Sequence, residues 1–114
     1  MIVEAKRGER VWYAACLVLG DERLDVNGAT RKHLDARKAS FAPMDTAIEL
    51  TGMEFGGINP IGLPPDWPIL VDDAVAQQPQ LIIGSGLRRS KLLVSGALLA
   101  HLPNSTVLTT AKRG

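Results

Sequence analysis

A small domain mixing β-strands and α-helices is the fold class this sequence predicts, and three observations predict it. Apolar residues make up 46% of 114 positions, which suits one compact core and leaves too little chain for two. Short β-branched and aromatic runs alternate with stretches at helical spacing. Glycine, proline and aspartate punctuate the joins between them. Together these predict one domain over residues 1–114.

The first nineteen residues, "MIVEAKRGERVWYAACLVL", read as two strands around a turn at Lys6-Arg7-Gly8-Glu9. A strand that starts at Met1 predicts an upstream segment, missing or supplied by another chain. A turn at Gly20-Asp21 follows, then a short helix from about Gly28 to Leu34 with Asn27 as N-cap, then a strand near Lys38 to Phe41. Pro43 opens the next helix, "MDTAIELT", whose Met44, Ala47, Ile48 and Leu50 fall near one face and which ends at Gly52. "PILVDDAV" and "QLIIGSG" read as buried strands that end in polar or small residues. Ser95 caps a helix stopped by Pro103, and "STVLTT" is the last strand before a basic tail.

Thirteen basic residues against twelve acidic ones leave a formal charge of +1, so no global field announces nucleic acid or an anionic membrane. Any such partner must meet a local patch. The lone cysteine, Cys16, lies in an apolar run, which excludes an internal disulfide and fits a buried thiol in a reducing compartment. With only His33 and His101 beside it, at no ligand spacing, no metal is expected. No apolar stretch approaches the roughly 18 residues of a membrane span, and the N-terminus lacks secretory-signal order, so a cytoplasmic location is expected. Neither histidine has the partners of a hydrolytic triad.

Three segments carry candidate chemistry. Residues 54–68, "EFGGINPIGLPPDWP", hold three glycines and four prolines. Gly56 and Gly57 leave backbone N–H groups uncovered, while Pro60, Pro64, Pro65 and Pro68 restrict the chain that follows. The run fits either a structural crossover or a stiff backbone wall that donates main-chain hydrogen bonds to a ligand's oxygens. "GSGLRRSK", Gly84 to Lys91, fits either a solvated basic turn or a phosphate cradle. Asp72 and Asp73 follow "ILV", where a carboxylate either orients a ligand or caps the next turn. Trp67 beside Pro68 reads as a packing lid.

Taken in order, "RLDVNGATRKHLDARKASFAPMDTAIELTGMEFGGINPIGLP", "PILVDDAV" and "IIGSGLRRSKL" resemble the YbaK/EbsC family of aminoacyl-tRNA deacylases, relatives of the bacterial prolyl-tRNA synthetase editing domain. The resemblance runs from about Ile2 to the end. Its most specific element is "TGMEFGGINPIGLP", similar to the family's glycine-x-x-x-proline loop. It implies an α+β fold, a mixed sheet curled around a pocket with helices outside, that hydrolyses the ester joining a wrong amino acid to the 3′ end of tRNA without a cofactor. Gly56, Gly57 and Pro60 match the loop positions that hold the ester, with Ile58 and Asn59 between them. Asp72 matches the aspartate after the central strand, and Gly84, Ser85 and Gly86 match the small-residue turn lining the pocket. Arg88, Arg89 and Lys91 are then expected on tRNA phosphates.

The position of a lysine that many members carry falls before Met1, in a region where they are longer, and Lys6 does not replace it. Such a shortened form implies impaired turnover, or an open edge covered by a second copy. The rival readings are a noncatalytic module that binds an aminoacyl-adenosine or nucleotide, and a purely structural domain.

Overall fold

The computed structural model describes residues 1–20, 22–53, 60, 61, 63, 64, 66–84 and 91–112. Strands β1 (Ile2–Arg7) and β2 (Arg10–Leu17) form an antiparallel hairpin. Arg7 sits opposite Arg10, leaving Gly8 and Glu9 as the turn, and Gly8 takes the left-handed backbone that such a turn favours (φ 62°). β3 (Arg23–Leu24) is followed by a π-helical turn, Val26–Thr30, and a single α-turn, α1 (Arg31–His33). β4 (Lys38–Phe41) then pairs antiparallel with β1.

Helix α2 (Met44–Thr51) begins after Pro43 and ends at Gly52, as its flanking residues predict. The interior strand β5 (Ile69–Asp72) runs into α3 (Asp73–Ala76). β6 (Leu81–Gly84) and β7 (Lys91–Val94) form a separate hairpin, and α4 (Gly96–Ala100) leads to β8 (Ser105–Leu108) and β9 (Ala111–Lys112). Five strands make one mixed sheet in the order β4-β1-β2-β5-β8, with β5 parallel to both β2 and β8. Among the described residues this sheet does not close on itself. β3 pairs with β9 in a two-stranded ribbon.

Side chains alternate across the sheet and build two cores. On one face Val3, Ala5, Ala14, Cys16 and Leu70 pack under Leu24, Val26, Leu34 and Ala36. On the other, Ile2, Ala15, Ile69 and Val71 pack against Ala47 of α2, Val75 of α3 and Leu99 of α4. β5 is therefore buried on both faces, which explains why it reads as a continuous apolar run rather than an alternating one.

Several expectations need correction. The cap before the π-turn is Asp25, not Asn27: its carboxylate accepts from Gly28 N–H (3.1 Å) and Ala29 N–H (3.2 Å). The turn tightens into helix only at Arg31–His33, so the expected helix over Gly28 to Leu34 is part π, part α. In α2 only Ala47 is fully buried, while Met44 and Leu50 are exposed, because the helix lies on the sheet through a narrower stripe than its composition suggests. β3, β7 and β9 were not anticipated, and β8 is not the last strand.

Candidate functional site

The site is built outward from the end of α2. Gly52 adopts φ 69°, and its N–H donates to Ile48 O (2.9 Å). The Thr51 hydroxyl donates back to Ala47 O (2.7 Å) and accepts from Met53 N–H (3.2 Å). These bonds fix the direction in which the chain leaves the helix. Gly56, Gly57, Ile58 and Asn59 lie outside the described residues. At Pro60 the chain is described again, and this proline is buried.

Pro60, Ile61, Leu63, Pro64 and Trp67 form one wall of a cleft of about 260 Å³, closed on its other side by Leu102, Pro103 and Asn104. The lining is mainly apolar, and the volume lies a little below the roughly 300 Å³ at which drug-sized pockets begin, so it admits an apolar side chain rather than a whole nucleotide. Trp67 stacks on Tyr13 with ring centroids 5.5 Å apart and planes 28° apart. Its backbone N–H donates to Pro64 O (3.1 Å), and with its ring buried against Tyr13 it is the packing lid its sequence context predicts.

The far wall is held as firmly. Asn104 takes a left-handed conformation (φ 66°) and its carbonyl accepts from Ile69 N–H (3.0 Å). The Ser105 hydroxyl bonds to the carbonyls of Ala100 (2.7 Å) and Leu102 (2.6 Å). Sequence reasoning missed this wall because residues 102–104 are more than thirty positions from the proline-rich run. Pro103-Asn104 was readable only as a turn signal.

Asp72, completely buried at the end of β5, is committed to backbone. Its Oδ1 accepts from Thr110 N–H (2.9 Å), Ala111 N–H (2.9 Å) and the Thr110 hydroxyl (3.4 Å), and its Oδ2 accepts from Ala74 N–H (3.1 Å). The carboxylate thus caps α3 and ties it to the β8–β9 connection, matching the capping alternative. Asp73 helps from outside, accepting from the Thr109 hydroxyl (3.0 Å). A buried carboxyl group held by several backbone donors is a rigid joint.

Gly84 ends β6 and stands opposite Lys91 at the start of β7. The two ends of the segment read from the sequence as one candidate, Gly84 and Lys91, are therefore paired across β6 and β7. Ser85, Gly86, Arg88 and Arg89 lie outside the described residues, as does the side chain of Lys91. Among the described residues no group of three or more His, Cys, Asp or Glu side chains could hold a metal, and no helix is long and apolar enough to cross a membrane.

Three solved structures share this fold. One is a hypothetical protein, 22% identical, with a TM-score of 0.81 over 97% of this chain and 71% of that one. A second is a candidate trans-editing enzyme for prolyl-tRNA synthetase, 21% identical, with a TM-score of 0.78 over 98% of this chain and 69% of that one. The third comes from work grafting epitope backbones onto scaffold proteins by computational design, also 21% identical, with a TM-score of 0.77 over 98% and 72%. No curated protein matches the sequence at a significant level. The sequence model of the aminoacyl-tRNA editing domain matches residues 1–102, nearly the whole chain. That match places the chain in the aminoacyl-tRNA editing domain family.

Proposed function

We propose that this protein is a trans-acting deacylase that hydrolyses the ester of a mischarged aminoacyl-tRNA in the cytoplasm. In the reaction a water oxygen bonds to the acyl carbon, the bond from that carbon to the ribose oxygen breaks, and the ribose oxygen takes the proton. Free amino acid and tRNA result. Main-chain groups of Gly56, Gly57 and Pro60 hold the ester and polarise its carbonyl, while Ile58, Asn59, Gly84, Ser85 and Gly86 line the substrate. Asp72 acts as a positioning residue, since its carboxylate oxygens are taken up by backbone amides.

Family membership supports the substrate class, and one observation supports the loop: Pro60, eight residues beyond a helix end locked by Gly52 and Thr51, is buried in the wall of an apolar cleft. A preorganised backbone wall suits ester hydrolysis. An activated ester needs little acid–base help, so fixed N–H donors and a positioned water supply much of the barrier reduction.

The test is release of amino acid from a panel of mischarged tRNAs. The expected result is turnover of at least one acyl group well above spontaneous hydrolysis. Absence of hydrolysis across the whole panel, with binding of an acyl-adenosine analogue retained, would replace this reading with a noncatalytic binding module.

A further inference from the structure

The net charge of +1 conceals a strong asymmetry. Residues 6–10 and 31–38 carry seven basic and two acidic side chains, against six basic and ten acidic elsewhere. The fold brings these two segments together. β4 pairs with β1 so that Lys38 stands opposite Lys6, the β1–β2 turn sets Arg7 opposite Arg10, and Arg37 N–H donates to Lys6 O (2.9 Å). α1 carries Lys32 and is tied to the segment leading into β4, where Asp35 N–H donates to Lys32 O and Ala36 N–H to Arg31 O, each at 3.1 Å.

Some of these cations are occupied. Lys6 pairs with Glu4 and Arg7 with Asp35, each at 3.2 Å. Arg31 donates to the carbonyls of Asn27 (2.9 Å) and Ala36 (3.3 Å), and Arg10 lies over the Trp12 ring at 4.5 Å. Exposed pairs of this kind are worth little, so an anionic ligand competes with the carboxylates for their cations. Lys32, Arg37 and Lys38 are exposed, and among the described residues no carboxylate lies within ion-pair reach of them.

Like charges placed directly opposite on adjacent strands oppose pairing. Here two such pairs, Lys6–Lys38 and Arg7–Arg10, lie at one end of the sheet across three strands, a width of about 10 Å, the first projecting from one face and the second from the other, so that the charges ring that end of the sheet. An extended polyanion relieves that repulsion. Measured along β2, Arg10 lies five residues, about 17 Å, from Ala15, the partner of the cleft residue Ile69. A ligand reaching both must be long as well as anionic.

We propose that the end of the sheet formed by Lys6, Arg7, Arg10, Lys32, Arg37 and Lys38 is a docking surface for an RNA phosphate backbone. The choice of RNA over other polyanions rests on the deacylase reading; the surface itself does not. Phosphate contacts of this type position the RNA without reading its sequence.

The test is binding of the purified protein to deacylated tRNA between 50 and 200 mM salt. Each phosphate contact contributes about 0.7–0.9 to the slope of log affinity against log salt. The Arg37→Gln/Lys38→Gln variant is expected to flatten that slope by between about 1.4 and 1.8, and to leave hydrolysis of a short 3′-terminal acyl-adenosine within about twofold of wild type. An unchanged slope overturns the proposal.

Basic residues on the edge strand β4 also guard against aggregation, so Lys32→Gln, off that strand, serves as a second variant. It should flatten the slope by about 0.7–0.9, and no change there overturns the proposal as well. Binding to vesicles of 30% phosphatidylserine in phosphatidylcholine, with none to tRNA, would assign the surface to a membrane instead. Wild type that binds tRNA with these slopes but hydrolyses no ester supports the surface while refuting the deacylase.

Discussion

Asp72 holds the start of α3 against the β8–β9 connection through its carboxyl oxygens. A carboxylate after a buried strand suggests ligand contact, yet its oxygens accept from three backbone amides on two different segments. Asp72→Ala leaves those buried donors unpaired and should cost about 3–5 kcal/mol, read as a fall in unfolding free energy in urea. A loss of activity without a loss of stability would assign it to the substrate. Cys16 carries a second prediction. Burial pushes its thiol up to about 12, whereas the thiol of an unfolded chain titrates near 8.5. The neutral thiol's advantage is complete below about pH 8.5 and is lost as pH rises toward 12. Cys16 should therefore resist thiol reagents at pH 8 until the protein is unfolded, and the Tm gap between wild type and Cys16→Ala should narrow between pH 9 and 11.

At the scale of elements, what local signals announce was readable and what distant pairing creates was not. Gly8, Pro43, Gly52 and Ser95 each mark an end through backbone chemistry of their own, and β1, β2, α2 and α4 stand where those residues predict. The Ser95 hydroxyl accepts from Leu98 N–H at 3.0 Å, as an N-cap should. By contrast β3 and β9 are two residues each, and Arg23 finds Lys112 only after the whole sheet has formed. No period exists in two residues to reveal them. The Asp25 cap was missed for a related reason: a π-turn is one residue wider than an α-turn, so the capping side chain sits further upstream than helical spacing places it. Gly96 yields the prediction for this scale. A Cβ there would run into the carbonyl oxygen of Val75, where α3 meets α4, and that backbone cannot swing aside. Gly96→Ala should lower stability by about 1–3 kcal/mol in denaturant melts even though alanine favours helix; a gain would contradict the observed contact.

For the whole molecule, a sheet with a core on each face supplies a stiff frame, and the candidate site sits where the frame hands the chain from α2 through the proline-rich run into β5. The frame explains why the site was only half legible. Glycines and prolines can be counted in a sequence, but the opposite wall at Leu102, Pro103 and Asn104 arrives through tertiary packing. The basic end of the sheet was hidden for the same reason, divided between two segments and cancelled in the total charge. The central claim is that main-chain groups, rather than a reactive side chain, activate the ester. The measurement that tests it most directly is the single-turnover rate of ester hydrolysis on a mischarged tRNA by wild type and by Gly57→Val, with circular dichroism confirming that both are folded. The expected result is a loss of about 100-fold or more in the variant, whose branched side chain displaces the ester from the main-chain donors, an effect comparable to losing one oxyanion donor. Equal rates in the two folded proteins would contradict it.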